Sequence, residues 1–121
     1  MSPQPPADAA PYPSYHAHVY YDAATRPEAE RLRAGLALFP VQLGRWHDQP
    51  VGPHPQSMYQ VAFAGADLAL LLPWLMEHHG PLSVLVHPNT GDDLGDHAHR
   101  AVWLGRQLPL RLDSFRPVEG C

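Results

Sequence analysis

The spacing of hydrophobic positions changes several times along the chain, and each change marks an element. Residues 15–21, Tyr-His-Ala-His-Val-Tyr-Tyr, are rich in aromatics and predict a first strand, ended by Asp22. Helical spacing follows, with Ala29, Leu32, Leu36 and Phe39 on one stripe. Thr25 is placed to cap this helix, Pro27 lies in its first turn, Glu28 completes a capping box and Pro40 ends it. Residues 41–46 read as a second, weaker strand, and residues 47–55, with Pro50, Pro53, Pro55 and Gly52, as an ordered turn. Residues 57–63 predict a third strand. Asp67 would cap a second helix bearing Leu68, Leu71, Leu72, Leu75, Met76 and His79 on one side, kinked at Pro73 and stopped by Gly80-Pro81. Residues 82–87 are apolar enough for a buried fourth strand. A turn-rich loop over 88–95 leads to a short helix capped by Asp96, packed through Ala98, Ala101, Val102 and Leu104 and ended by Gly105; residues 108–112 predict a fifth, edge segment.

The order is β-α-β-β-α-β with a C-terminal extension, which predicts an α+β, ferredoxin-like antiparallel sheet with two helices on one face. The domain spans residues 15–116, between a flexible Pro-rich tail (1–14) and a short tail (117–121). The expected strand order is 4-1-3-2, with strands 1 and 3 running one way and strands 2 and 4 the other. One edge of the sheet would then collect His16 and His18, His47, His54 and His87, and the loop with Asp92, Asp93, Asp96, His97 and His99. Alternation also leaves Tyr20 and Leu85 facing away from the helices. A partly apolar face of that kind calls for a cover, and a homodimer is the expected one.

Composition narrows the function. The 121 residues carry a net charge of −4, and the eight basic residues are scattered arginines, so no basic stripe supports nucleic-acid binding. No apolar run nears the ~20 residues that cross a bilayer, so no membrane span is expected. The N-terminus lacks the cationic start and apolar stretch of a signal peptide, and Cys121 is the one cysteine, which suits a reducing, cytoplasmic compartment. Nine histidines change the picture most, because neutral imidazole is the commonest metal ligand.

His16 and His18, two apart on a strand, point to one face. His87 ends a hydrophobic strand and is fixed by Pro88; His54 is restricted by Pro53 and Pro55, which lowers the ordering cost of ligation. His78 and His79 stand at a helix end, where they complement the dipole, and receive no role. Non-haem iron sites that use oxygen often join two histidines with a carboxylate. Asp92, Asp93 and Asp96 are placed for that, although the same residues are good turn and cap formers, so a histidine-only site and a mixed site both stand.

Several blocks in order carry a family resemblance: Tyr15-His16-Ala17-His18-Val19-Tyr20; Gly44-Arg45-Trp46-His47-Asp48-Gln49-Pro50-Val51-Gly52-Pro53-His54-Pro55; Met58-Tyr59-Gln60-Val61; Leu85-Val86-His87-Pro88-Asn89-Thr90-Gly91-Asp92-Asp93 with Asp96-His97; and Trp103-Leu104-Gly105. Over about residues 14–116 the chain resembles the DOPA 4,5-dioxygenase family of small fungal and bacterial proteins. The resemblance implies a ferredoxin-like, often dimeric fold and extradiol cleavage of a catechol such as DOPA by O₂. It implies Fe(II), with another divalent metal such as Zn able to occupy a purified sample. His16, His18, His54 and His87 fall on the family's histidines as metal ligands, and His47 and His97 on further ones. On that footing His47 or His97 would handle the catechol proton. Arg45 or Arg26 would pair with a substrate carboxylate. Trp46 and Tyr59 would stack on the ring, or serve as core. The alternative is a non-catalytic, dimeric ferredoxin-like protein that binds a metal or a small aromatic.

Overall fold

Strand β1 (Ser14–Tyr21) is paired along both edges, and the rest of the chain is arranged around it. After it come α1 (Arg26–Leu36), β2 (Gln42–Leu43), β3 (Ser57–Ala64), α2 (Leu68–His78), β4 (Ser83–Pro88), α3 (Asp93–His97) and β5 (Val102–Leu104). This computed structural model describes residues 12–115. Ser14, expected in the N-terminal tail, is already in β1, while residues 1–11 and the expected tail at 117–121 lie outside the described residues. Among the described residues, no helix is long and apolar enough to cross a membrane.

The five strands form one antiparallel sheet in the order β2-β3-β1-β4-β5. The first four have the expected order but not the expected directions. β1 runs antiparallel to β3, and so does β2, so β1 and β2 run one way and β3 and β4 the other. His47 and His54 therefore leave from the opposite edge to His16 and His87, and the predicted gathering of histidines along one edge does not occur. They meet over a face instead, through the alternation of side chains along β1.

Ala17, Val19 and Tyr21 point one way from β1, with Tyr59, Val61 and Phe63 of β3 and Val84 and Val86 of β4 beside them. Ala29, Leu32 and Leu36 of α1 and Leu71 and Leu75 of α2 close this core. α1 and α2 thus cover one face, as their apolar stripes predict, although Met76 of α2 is exposed. The capping box of α1 does not form: Thr25 Oγ1 donates to Asp22 Oδ1 and accepts from Asp22 N, so its oxygen is engaged outside the helix. α2 follows a short 3-10 turn at Gly65–Asp67 and runs through Pro73.

The second face carries a smaller cluster of Tyr20, Met58, Leu85 and Leu108, joined by Trp103 and Leu110. Tyr20 and Leu85 do face away from the helices, but they are only 1 % and 0 % exposed. The chain's own segment after β5 covers them, so the exposed apolar patch that called for a homodimer is not there. Two further expectations shift with this. Residues 98–104 are not a helix; Val102 and Trp103, a β-branched and an aromatic residue, pair with Val86 and Leu85 and extend the sheet beyond β4. Gly105 then turns the chain at φ 74°, where a Cβ would stand 2.7 Å from the Leu82 carbonyl oxygen, so residues 108–112 form a cover and not an edge strand.

Leu36 is fully buried and Leu38, two residues on, is 88 % exposed. Leu36→Ala should lower unfolding free energy by about 2–5 kcal/mol. Leu38→Ala should change it by no more than about 0.5 kcal/mol. Urea denaturation of both variants measures the contrast.

Candidate metal centre on the open face

His16, His18 and Tyr20 occupy the face of β1 turned from the helices. His16 lies directly across from His87 in the β1–β4 ladder, and His18 two pairs further along, across from Leu85. Side chains on neighbouring same-face positions of paired strands come within reach of one another. The imidazoles of His18 and His87 accordingly meet, with their Nε2 atoms 3.0 Å apart in a buried contact. The His16 ring lies 5.4 Å from the His87 ring and 5.9 Å from the His18 ring, centroid to centroid.

Two more imidazoles arrive from loops. His54 follows a turn closed by its own N–H to the Val51 carbonyl and reaches over the sheet until its ring is 4.3 Å from His18. Its Nδ1 is 2.7 Å from the Tyr20 hydroxyl. His97 ends α3 and stands 4.1 Å from the His87 ring, with Phe115 packed at 4.6 Å on its outer side. The loop before it is held by Asp96, which is 1 % exposed and accepts from Thr90 N, Thr90 Oγ1 and Arg100 Nη1. Glycine at position 95 leaves room for the Arg100 guanidinium and the Asp92 carboxylate to close over the loop, and a Cβ there would displace those side-chain ends. Two clefts flank the cluster. One, of about 490 Å³, ends at His16 between the start of β1 and the end of β3; the other, of about 400 Å³, ends at His97 beneath Trp103, Leu108 and Leu110.

Burial favours the neutral form of His16, His18, His54 and His87. His18 is held well below the ordinary imidazole value, by burial first and then by His54, His87, His97 and His16. His54 and His87 are each lowered to about 4, again mainly by burial, and His16 is lowered too. Hydrogen bonds to backbone fix two of the tautomers. His87 Nδ1 is 2.8 Å from the Pro88 carbonyl oxygen and His97 Nδ1 is 2.8 Å from that of Asp93. A carbonyl can only accept, so each Nδ1 carries the proton and each Nε2 presents a lone pair.

The arrangement suits a cation. His16, His18 and His87 each offer a nitrogen within 4.8 Å of the others, and so do His18, His54 and His97. Two ligand nitrogens each ~2.0–2.1 Å from one metal can stand no more than ~4.2 Å apart, and the His18–His87 pair satisfies this. His18 Nδ1 is buried without a hydrogen-bond partner, so Nε2 is the nitrogen through which this ring is engaged. Among the described residues, both candidate groups are made of histidine alone. The carboxylates are engaged elsewhere: Asp96 holds its loop, Asp92 accepts from Gly95 N and pairs with Arg100, and Asp93 is exposed and meets His97 through its carbonyl.

The other sequence candidates lie apart. His47 is half-buried, bridged to Met58, and near enough to His54 to contribute to its lowered pKa, but it belongs to neither candidate group. Arg45 is exposed. Trp46 and Tyr59 fall in the helix-side core, with ring centroids 4.9 Å apart. Tyr59 is fully buried and its hydroxyl donates to the Ala29 carbonyl, so neither ring reaches the histidines. Arg26 packs over the Trp46 ring and pairs with Asp48 and Glu30. The aromatics that do stand by the cluster are Tyr20, Trp103, which stacks on Tyr20, and Phe115; Gln60 is the β3 residue opposite His18. The period-two rule already put Tyr20 on the histidine face. Trp103 and Phe115 depend on the path of the chain after β4 and carry no local signal.

The fold and this face together define a small α+β protein with a polyhistidine centre on an antiparallel sheet. The chain belongs to the Dopa 4,5-dioxygenase family, whose sequence pattern matches residues 15–114. A crystal structure of a Nostoc punctiforme protein described as a candidate dioxygenase superposes with a TM-score of 0.84 at 51 % identity, covering 85 % of this chain and 90 % of that one. A Botryotinia fuckeliana protein described only as an uncharacterized 21.2 kDa protein is 37 % identical over 94 % of this chain and 69 % of its own length. The DOPA 4,5-dioxygenase of Amanita muscaria is 32 % identical over 84 % of this chain, which spans about half (49 %) of that enzyme.

The lowered histidine values predict the acid response of the metal-free protein. Above pH 6.5 these rings are neutral both folded and unfolded, so they contribute no pH dependence. As pH falls from 6.5, the unfolded chain takes up protons that folded His54 and His87 refuse until about pH 4, and folding free energy drops through that window. Thermal melts at pH steps between 7 and 4 should show a falling midpoint, and the fall should be smaller in His54→Gln.

Proposed function

We propose that this protein is a metal-dependent extradiol dioxygenase that opens the ring of a catechol, DOPA or a related aromatic, with O₂. The observation that carries the reading is the buried His18–His87 pair with His16 beside it, on a chain of the Dopa 4,5-dioxygenase family. His16, His18 and His87 would hold the ion. Fe(II), with Zn as a possible occupant after purification, would supply a centre that brings catechol and O₂ together.

The chain's own groups fit the remaining work. His87 and His97 have tautomers fixed by backbone carbonyls, so His87 is set as a ligand and His97 as a proton acceptor at the edge of the cluster. His97 opens onto the cleft below Trp103 and Leu108, which is wide enough for one aromatic ring and is lined by both apolar side chains and the polar His97 and Gln107. A catechol lying there would present its hydroxyls to the histidines. Trp103 takes the stacking role first considered for Trp46 and Tyr59, and Arg45, which does not line this cleft, is given no part in it. His47, which belongs to neither histidine group, is given no proton-transfer role.

Anaerobic loading with Fe(II), followed by a catechol and air, should consume O₂ and catechol in equal amounts and give a yellow ring-opened product. His87→Ala should lose the metal and turnover. His97→Ala should keep the metal and slow turnover by ~10²–10⁴-fold. Trp103→Ala should raise KM more than it lowers kcat. A metal-loaded protein inert towards a broad catechol panel would reject this reading and favour a non-catalytic protein that holds a metal or a small aromatic.

A further inference from the structure

His54 stands beside the same cluster as His97, but its second nitrogen meets a different partner. The carbonyl behind His97 forces the proton onto Nδ1. Behind His54 is a phenol, and the Tyr20 hydroxyl is 2.7 Å from Nδ1. Tyr20 is 1 % exposed, and His54 Nδ1 is the one hydrogen-bond partner of its hydroxyl among the described residues. Were Nδ1–H to donate to the phenol oxygen, the phenolic proton would be buried with no acceptor, a loss of about 1–3 kcal/mol. With Tyr20 donating, both groups are satisfied and the His54 proton must sit on Nε2. Tyr20 is itself fixed by its place in β1 and by Trp103 stacked on its ring.

We infer that His54 is a neutral hydrogen-bond donor, with its Nε2–H serving the cluster, and is not a metal ligand; Tyr20 is the positioning residue that sets this tautomer. The site is then polar by construction. His97 offers a lone pair and His54 an N–H, each with a nitrogen within 4.8 Å of the other and of a His18 nitrogen. A neutral imidazole that donates without losing its proton stabilises negative charge developing on a bound oxygen. The inference rests on the dioxygenase reading only for what that oxygen belongs to; the tautomer and the ligand count stand apart from turnover.

The test is to read the tautomers by two-bond ¹⁵N–¹H correlation on the full chain, both metal-free and loaded with Zn(II). His54 should show the Nε2–H pattern and His97 the Nδ1–H pattern in both samples, and Tyr20→Phe should abolish the His54 preference. His54→Leu should retain the wild-type metal stoichiometry. In the Fe(II) protein, Tyr20→Phe should lower kcat ~10–100-fold, the range usual for outer partners of a metal site. His54→Gln, which keeps an N–H donor, should recover part of the rate lost in His54→Leu. An Nδ1–H pattern at His54, or loss of the metal in His54→Leu, would overturn the inference. Absence of turnover with the tautomers as stated would instead count against the dioxygenase reading alone.

Discussion

The constraint on which the rest of the structure depends is the period-two alternation of one central strand. β1 is hydrogen-bonded on both sides, and its register, over eight residue pairs with β3 and six with β4, is set by burial of Ala17, Val19 and Tyr21 against the helices. A slip of one residue would send those side chains to the open face and the histidines into the apolar core. The hydrophobic core therefore fixes the position of His16, His18 and Tyr20. Positioning the site needs no separate device on this strand.

Gathering imidazoles out of water is costly in protonated form, and the structure removes that cost by keeping them neutral. Neighbouring rings depress His18, His54 and His87, and burial adds the larger share. The proton that remains on each neutral ring has to be placed, and the backbone does so for His87 and His97 while a phenol faces His54. Those placements rest on loops held by strong local contacts. The Asp96 carboxylate with Thr90 and Arg100 fixes the approach to His97, and the Arg111 N–H to the Pro53 carbonyl joins the C-terminal cover to the loop bearing His54.

Local patterns in the sequence are enough to locate β1, α1, α2, β3 and β4 and to single out His16, His18, His54 and His87 one by one; joining the four rests on an expected edge and on the family resemblance. They fail where the outcome depends on long-range direction or path. Convergence along an edge requires β1 and β3 to run the same way; the ladder makes them antiparallel, and alternation across a face does the gathering instead. Trp46 and Tyr59 looked like ring-stacking residues by type, yet Tyr59 shares the parity of Val61 and Phe63 and so belongs to the helix side. That parity was readable. Trp103 was not, because residues 98–104 carry both a helical and a strand pattern, and only the unpaired edge of β4 decides between them. Asp96 looked like a cap because Asp is common there; its burial against Thr90 and Arg100 is a tertiary outcome.

The cover supplied by residues 105–115 links these points. Without it, Tyr20, Leu85 and Met58 would form an exposed apolar patch beside the histidines, and an outside surface would have to close it. With Leu108 and Leu110 in place, one chain closes its own second face, and the Phe115 ring shields the outer side of His97. The cover also leaves a cleft that ends at His97 instead of sealing the face. Water is thereby removed from the inner rings, which strengthens every polar contact among them, while the His97 ring stays half-exposed. The division between buried His18 and His87 and accessible His97 thus follows from where this segment crosses the sheet.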